Sequence, residues 1–258
     1  MKLGAMNNPS KNVLDEIEWI GQNGFEFVDL TIEPSKAYFD DINAGEIKRL
    51  LYRYGMDCVG HTAYYMPMAS PIKALREASI SELLRAMDFF SKLRVQKMNV
   101  HLDRPHMLFS KEQVFSWHVE VLNQLVSAAK QYDIQIMIEN GHNKWCSEEL
   151  MLDMLARVPG LMFHLDVAHF FINHGSVDGL DAFLQKIGDK LVHVHAHDNF
   201  GTDDLHLPIG AGNINWETVV QALKNNNYND TITIELHSPD KQYFIYSRDK
   251  FKKLWHQM

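Results

Sequence analysis

The sequence predicts an α/β fold, a single (β/α)8 TIM barrel that forms one domain over residues 1–258. Eight short apolar or β-branched runs alternate strictly with eight longer segments of helical period, a pattern typical of parallel sheets built from βα units. The length of 258 residues suits such a barrel, and no linker, repeat or low-complexity stretch interrupts the pattern. A doubly wound open sheet is the structural alternative, but the glycine-rich first turn typical of that fold is missing from GAMNNPSKN.

The predicted strands are short β-branched or apolar runs, and the segments between them have helical period. In chain order, the predicted strands are Lys2–Met6, Phe25–Leu30, Asp57–His61, Lys97–His101, Ile134–Glu139, Leu161–Asp166, Leu191–Asp198 and Thr231–Leu236. The predicted helices are Val13–Gln22, Ala44–Tyr54, Pro71–Leu93, Lys111–Tyr132, Ser147–Ala156, Val177–Ile187, Trp216–Asn225 and Ser247–His256. Two of the helix starts carry capping signals: Ser110 stands three residues before Gln113, and Ser147 precedes two glutamates.

Composition excludes several classes of protein. The formal net charge of −8 gives no general attraction to a phosphate backbone, although the composition does not exclude a local basic groove. Cys58 and Cys146 stand far apart, so the sequence predicts neither a disulfide framework nor a thiolate zinc site. No stretch approaches the ~20 apolar residues of a membrane span. We therefore expect a cytoplasmic protein with no membrane partner.

Possible metal ligands stand at the ends of five predicted strands. They are His61, His101, Glu139, Asp166 and Glu235. In a (β/α)8 barrel the active site lies at the carboxyl ends of the strands. This placement therefore favours a role of these five residues in an active site over a role as hydrogen-bonded residues of the core. A single histidine at one such position is more often a hydrogen-bonded core residue, but five strand ends together weaken that interpretation.

The segment around strand seven adds further candidates. In LVHVHAHD, the residues His193, His195 and His197 alternate at period two and share one face; they cannot all bind one ion, and one towards the top of the strand is favoured. In DVAH, His169 follows the strand end by three residues. In DDLH, Asp204 and His206 stand two apart, which in an extended loop directs both side chains the same way.

The candidate ligands are imidazoles and carboxylates without a thiolate. The nine residues are His61, His101, Glu139, Asp166, His169, His195, Asp204, His206 and Glu235. Such a set suits Zn²⁺ or Mn²⁺, with histidines favouring zinc and carboxylates favouring manganese. Nine ligands exceed what one ion uses, so two or three ions are expected if all nine converge.

At these residues the chain resembles the xylose-isomerase-like barrel superfamily, which includes endonuclease IV and the sugar and sugar-phosphate isomerases and epimerases. The motifs that carry the resemblance are HTAYYMPMASP, NVHLD, IENG, LDVAH, VHAHD, DDLHLPIGAGNI and IEL, and they span nearly the whole chain. Similarity to endonuclease IV implies a three-zinc cluster on the nine positions. It also places Tyr64 and Tyr65 where that enzyme carries its DNA-penetrating pair.

Similarity to the small-sugar epimerases implies a simpler site with one Mn²⁺-type ion. Glu139, Asp166, His195 and Glu235 match its ligands, and His169 matches a substrate-contacting histidine. In that mechanism the two glutamates face each other across the sugar and exchange protons beside the carbonyl.

The resemblance leaves three functions open. The expected function is a divalent-metal-dependent isomerase or epimerase acting on a small sugar or sugar phosphate, with Glu139, Glu235 and His169 in catalysis. The alternative is a multi-zinc phosphodiesterase acting on abasic DNA, which the acidic segment after strand two disfavours. A non-catalytic metal-binding barrel is the third. Tyr64 together with His142 and His237, which lie just beyond strand ends, are candidate substrate contacts.

Overall fold

The computed structural model describes residues 1–104, 108–142 and 145–258. Eight parallel strands form a closed barrel in chain order, with β8 paired to β1, so the predicted (β/α)8 TIM barrel is confirmed. The strands are β1 Lys2–Met6, β2 Phe27–Thr31, β3 Asp57–His61, β4 Lys97–Val100, β5 Gln135–Glu139, β6 Met162–Asp166, β7 Leu191–Ala196 and β8 Thr231–Ile234.

Helices surround the barrel and bury their apolar faces against the outer surface of the strands. They are α1 Val13–Gln22, α2 Ala44–Tyr54, α3 Lys73–Lys92, α4 Lys111–Ala129, α5 Glu148–Arg157, α6 Val167–His174, α7 Leu180–Ile187, α8 Trp216–Asn225 and α9 Gln242–Gln257. Two short 3-10 helices, Lys130–Tyr132 and Gly188–Lys190, lead into β5 and β7. Within the described residues, no helix is both long and apolar enough to cross a bilayer.

The prediction of eight helices in strict alternation was wrong at one place. The additional helix α6 begins directly after β6, with no connecting loop. Asp166 is the last residue of β6 and also the N-cap of α6, because its side chain accepts a hydrogen bond from the His169 backbone N–H at 2.7 Å. The helix ends at Gly175, whose φ of 71° is the left-handed conformation common at helix ends.

Several predicted ends were also displaced. His101, His197 and Glu235 lie one residue beyond β4, β7 and β8, because each strand leaves its pairing register at the top of the barrel. Helix α9 begins at Gln242 rather than at Ser247.

The barrel interior is apolar at its base and polar above. Phe27, Val59, Met137 and Val192 form a small apolar cluster inside the barrel. Gly4 on β1 makes room for it, since a Cβ there would lie 2.5 Å from the Phe27 ring. Apolar side chains thus close the barrel from below, and the polar side chains of the next layers face the carboxyl ends of the strands.

Candidate metal centre

The carboxyl ends of the strands form the mouth of the barrel, where the predicted strand-end residues meet. His61, Glu139 and Asp166 are the last residues of β3, β5 and β6. His101 and Glu235 directly follow β4 and β8. Burial is nearly complete, since Glu139 is 5% exposed and Asp166 is 0% exposed. Charged groups at such depth need partners of opposite charge or a bound cation.

One half of the mouth is centred on Glu139. Its Oε2 lies 3.0 Å from His101 Nε2, and its Oε1 lies 3.4 Å from His169 Nδ1. The side chain of Asn99 donates a hydrogen bond to Oε2 at 2.9 Å. The ring of His61 lies beside that of His101, with centroids 4.9 Å apart. Imidazoles from three elements therefore surround this carboxylate.

The other half of the mouth is centred on Glu235. Its Oε2 lies 2.9 Å from His195 Nδ1 and 3.6 Å from His206 Nδ1. Asp166 links the two halves, because its Oδ2 lies 3.9 Å from His195 Nδ1 and 3.8 Å from His169 Nδ1. The four residues of the simpler predicted set, Glu139, Asp166, His195 and Glu235, therefore lie in one continuous cluster.

Asp204 and His206 reach the cluster from the loop that follows β7. Asp204 Oδ2 lies 3.1 Å from His169 Nε2 and 3.2 Å from His206 Nε2. The predicted reason for their convergence was wrong, since the backbone is not extended at His206, where φ is 48°. This left-handed residue turns the chain so that both side chains face the mouth.

Asp198 fixes that loop against the barrel. Its buried carboxylate accepts hydrogen bonds from the backbone of Gly210 at 2.7 Å and Ile214 at 3.2 Å, and from Trp216 Nε1 at 3.0 Å. Its own backbone pairs with Leu207 in an isolated antiparallel bridge. One carboxylate thus holds both ends of the segment that carries Asp204 and His206.

The start of α6 is tied to β5 through Asn140. The Asn140 side chain donates to Asp166 O at 2.9 Å and accepts from Asp166 N at 2.8 Å. The backbone oxygen of Asn140 accepts a hydrogen bond from His169 Nδ1 at 2.8 Å. These contacts fix Asp166 and His169 before any ligand binds.

The two glutamates are held in the ionised state. Burial by itself raises the pKa of each carboxyl, but nearby imidazoles outweigh burial, chiefly His164 for Glu139 and His195 for Glu235. Both glutamate pKa values therefore lie well below their usual range.

Two histidines that contact Asp204 hold protons. Burial lowers the pKa of His169, but Asp166 and Asp204 outweigh burial and raise that pKa to about 10. Burial also lowers the pKa of His206, while Glu235 and Asp204 raise it to about 9. Without a bound cation, the carboxylates of the mouth are therefore neutralised by imidazolium groups.

The donor atoms of the mouth fit a divalent metal. Five of the nine predicted ligands each have one buried side-chain atom with no hydrogen-bond partner within the described part of the chain: Nδ1 of His61, His101, His195 and His206, and Oδ1 of Asp204. His195 Nδ1 lies 2.9 Å from a Glu235 oxygen without hydrogen-bond geometry, and atoms that share one ion lie about 3 Å apart. Buried unpaired donors of this kind need an ion or water.

The donors fall into more than one group. In each of the sets His61–His101–Glu139, Asp166–His169–His197 and His142–His169–Asp204, one ligand atom per residue lies within 4.8 Å of the others. Imidazole and carboxylate in this ratio suit Zn²⁺ or Mn²⁺.

The family follows from the match of the whole barrel. A model of the xylose isomerase-like TIM barrel family matches residues 17–254. The chain belongs to this family.

Known members of the xylose isomerase-like TIM barrel family resemble this chain over most of its length. An uncharacterized protein of Methanocaldococcus jannaschii, MJ1311, is 28% identical over 236 residues, covering 87% of this chain and 79% of that protein. Fructoselysine 3-epimerase of Escherichia coli O157:H7 is 23% identical, covering 83% of this chain and 81% of that enzyme. The solved structure of a D-tagatose 3-epimerase-like protein is 26% identical with a TM-score of 0.91, covering 100% of this chain and 98% of that one.

The three predicted substrate contacts all lie around the mouth. Tyr64 is 71% exposed and packs edge-on against Tyr65. His142 Nδ1 lies 3.6 Å from Asp204 Oδ2. His237 stacks on His206 with ring centroids 3.9 Å apart. His142 and His237 therefore contact residues of the mouth, whereas Tyr64 contacts Tyr65 in the segment after β3.

Sequence reasoning overlooked several members of the cluster, among them His164, whose Nδ1 lies 3.5 Å from Glu139 Oε2, His197 and Asp29. His197 is fully buried, and its Nε2 lies 3.0 Å from Asp166 Oδ2 and 3.6 Å from Glu235 Oε2. The sequence feature that could have indicated His197 was the alternation of histidines along strand seven, but only His195 was chosen from it as a metal ligand. Asp29 on β2 is also fully buried, and its signal was a lone carboxylate in an otherwise apolar strand.

A cavity of about 480 Å³ opens beside Glu235 between β1 and β8. Its walls combine polar groups of Asn7, Asn8 and His237 with the apolar side chains of Met6 and Phe244. A cavity of this size and mixed lining is typical of a small-molecule site.

Proposed function

We propose that this chain is a divalent-metal-dependent isomerase or epimerase of a small sugar or sugar phosphate. The observation that carries the proposal is the placement of Glu139 and Glu235. The two carboxylates are buried at the mouth, Glu139 as the last residue of β5 and Glu235 directly after β8, and these strands lie three apart around the closed ring of eight. Side chains at such positions approach a ligand in the mouth from opposite sides. Relatives that are sugar epimerases add support.

Glu139, Asp166, His195 and Glu235 would hold the ion. When bound, a divalent metal polarises the carbonyl oxygen of the sugar and makes the neighbouring C–H more acidic. The set offers one imidazole and three carboxylates, which favours Mn²⁺ over Zn²⁺ at this position. The further ligands His61, His101, His169, Asp204 and His206 have room for one or two more ions.

The protein's own groups move the proton. Glu139 and Glu235 are ionised and therefore able to accept a proton from the carbon beside the carbonyl. One glutamate removes the proton from one face of the carbon and becomes protonated. The other takes a proton from solvent and delivers it to the opposite face, and the first then releases its proton to solvent, so the charge of the site is unchanged over one turnover. Asn99 and His101 orient Glu139, so this carboxylate does not need to reorganise.

The remaining polar groups bind the sugar. His169 presents ring nitrogens beside Glu139 and Asp204, where a donor stabilises the negative charge that develops on a substrate oxygen. His142 and His237 stand beside His169 and His206 and can donate to hydroxyl groups. Tyr64 lies on the rim, where its ring covers the sugar from solvent.

The test is exchange of substrate hydrogen with solvent. In D₂O, the wild-type protein should incorporate deuterium beside the carbonyl of at least one ketose or ketose phosphate from a broad panel. Glu139→Gln and Glu235→Gln should each lower that rate by about 10²- to 10⁴-fold, the usual contribution of a general acid or base. Glu77→Gln is the matched control, because its exposed side chain pairs only weakly with Lys73. Full exchange in both mouth variants would refute the proposed mechanism.

A second candidate is a phosphodiesterase acting on abasic DNA. The additional ligand-type residues His61, His101, His169, Asp204 and His206 favour it, because paired ions activate water and stabilise both oxygens in phosphoester hydrolysis. The net charge of −8 and the acidic segment after β2 oppose it. Incision of an abasic duplex by the wild-type protein, without any sugar C–H exchange, would favour this candidate.

A further inference from the structure

One buried carboxylate beneath the mouth takes no part in the proton transfer proposed above. Asp29 lies in the middle of β2, in the run FVDLT, and has no exposed surface. A carboxylate this deep is costly unless several donors satisfy it.

Three donors converge on a single oxygen of Asp29. Its Oδ2 lies 2.8 Å from His195 Nε2 and 3.1 Å from His193 Nε2, and it accepts a hydrogen bond from Thr233 Oγ1 at 2.8 Å. The other oxygen, Oδ1, lies 3.7 Å from His61 Nδ1, beyond hydrogen-bond distance. Asp29 therefore faces two of the nine predicted metal ligands from below.

The contact with Asp29 determines which nitrogen of His195 faces the mouth. A carboxylate only accepts, so His195 Nε2 carries the hydrogen of this bond. The opposite nitrogen, Nδ1, then lies 2.9 Å from Glu235 Oε2 and 3.9 Å from Asp166 Oδ2. Histidines that bind metals commonly donate their other N–H to a carboxylate, which fixes the ring orientation and strengthens the ligand.

Asp29 is itself anchored from the base of the barrel. Beyond His193, the hydrogen-bonded chain continues from His193 Nδ1 to Thr231 Oγ1 at 2.8 Å. Lys97 Nζ lies 3.5 Å from the same hydroxyl, donates to Val192 O at 2.8 Å and pairs with Asp230. The chain of contacts runs from the base of the barrel to the mouth, so the carboxylate cannot rotate without breaking several bonds.

We propose that Asp29 is a positioning residue for the metal centre, which holds His195 with Nδ1 directed at the ion and Nε2 bonded to its own carboxylate. This inference rests on the metal dependence in the proposed function. In this role Asp29 is not itself a ligand of the ion, and it acts through His195.

The experiment measures zinc affinity by competition with a chelator, together with the thermal midpoint of each metal-free protein. Asp29→Ala should weaken zinc binding by about 10- to 100-fold, the usual effect of removing the partner of a metal-bound histidine. Asp29→Asn should lose less zinc affinity than Asp29→Ala, because its amide oxygen still accepts a hydrogen bond from His195 Nε2. Some loss should remain, since the amide carries no charge. The absorption spectrum of the Co²⁺-loaded protein should change in Asp29→Ala, since the coordination of His195 changes.

Thr233→Val is the matched control. Thr233 is as buried as Asp29, and the substitution removes a donor to the same oxygen of Asp29, but within the described residues no side-chain hydrogen bond joins Thr233 to His195. Its zinc affinity should stay within about threefold of the wild type, well inside the loss expected for Asp29→Ala.

The outcomes separate the two proposals. If the wild type binds zinc and the folded Asp29→Ala and Asp29→Asn variants bind it equally well, the positioning role is overturned while the metal site stands. If the wild type binds neither zinc nor manganese, the metal dependence and this inference fall together. Should Asp29→Ala fail to fold, the isosteric Asp29→Asn decides, and unchanged affinity there also overturns the role.

Discussion

His118 is a fully buried histidine outside the nine predicted metal ligands, and both of its nitrogens form hydrogen bonds with the backbone. Nδ1 donates to Val114 O at 3.0 Å, and Nε2 accepts from the Asp103 N–H at 2.9 Å. Only a neutral imidazole offers one donor and one acceptor in this way. Burial accordingly lowers the pKa of His118 to about 4.

This shift makes His118 a source of acid sensitivity. Because the folded-state pKa lies below the unfolded value, the unfolded chain binds more protons between about pH 6.5 and pH 4, and stability falls as pH decreases through that window. Between pH 7.5 and pH 5 the loss from His118 is about 2 kcal/mol. The free energy of unfolding in urea at both pH values should therefore differ less for His118→Gln than for the wild type. Equal differences in the two proteins would contradict this assignment.

At single positions, the sequence predicts the site residues that stand at the end of a predicted strand, because the active site of a (β/α)8 barrel lies there. His61, His101, Glu139, Asp166 and Glu235 were found because each ends a strand. Asp29 and His197 could not be assigned, because a strand pattern does not say which interior layer a side chain occupies. That depends on the stagger of eight strands around the barrel, which pairing between distant segments determines.

Among the elements, α6 has the closest link to the site, since Asp166 both caps the helix and faces the cluster. Its Oδ1 accepts from the His169 N–H at 2.7 Å, and its Oδ2 lies 3.0 Å from His197 Nε2. Asp166→Asn should retain the cap, because asparagine caps helices as well as aspartate does, while it removes the charge. Asp166→Ala should lose both the cap and the charge, and its free energy of unfolding should be lower than that of Asp166→Asn by ~0.5–2 kcal/mol.

Calorimetry of the two metal-free variants and a zinc titration of each separate the effects. Zinc affinity should fall in both variants, whereas only Asp166→Ala should show the added loss of stability. Equal stability of the two would mean that the cap contributes nothing to α6.

The sequence did not reveal α6, for a local reason. VAHFFINH is only eight residues long and largely apolar, and it follows β6 without a turn signal, because the capping residue is the last residue of the strand itself. The other helices were predicted because polar connections separate them from the preceding strands. Helix α9 begins five residues before the predicted start at Ser247. The segment SPDKQYF carries no start signal other than the turn at Asp240, whose side chain accepts a hydrogen bond from Gln242 N.

The loop after β7 depends on a close approach at Gly212. A Cβ added at this position would lie 2.2 Å from Asn199 O and 2.4 Å from Asp198 Oδ1. Gly212→Ala should therefore push the loop away from Asp198 and lower stability by about 1–3 kcal/mol, as overpacking commonly does. Thermal unfolding would measure that loss, and weaker zinc binding would report the displacement of Asp204 and His206.

Gly179→Ala is the control for this change, because nothing lies within 4 Å of its added Cβ. It should leave both stability and zinc affinity close to those of the wild type. Normal zinc binding by Gly212→Ala would show that Asp204 and His206 are not positioned by this contact.

For the molecule as a whole, alternation of strands and helices was enough to predict the closed barrel, since short βα units of this number have few other ways to bury their apolar faces. The polar interior could not be deduced from the same pattern. Buried histidines on β6 and β7, such as His164 and His193, stand where most such barrels have branched apolar side chains. The upper barrel thus contains a network of polar and charged side chains where other barrels have apolar packing.

On the metal dependence proposed above, the stability of the whole barrel should rise when an ion binds at the mouth. A ligand that binds only the folded state stabilises it by RT ln(1 + [L]/Kd), about 2.7 kcal/mol at a hundredfold excess over Kd. For a chain of this size, that corresponds to a rise in Tm of roughly 5–10 °C over the chelated protein. Scanning calorimetry with EDTA and then with added Zn²⁺ or Mn²⁺ measures the difference. Ca²⁺, which prefers all-oxygen sites, should give a smaller shift, and identical Tm values with and without Zn²⁺ or Mn²⁺ would argue against a metal at the mouth.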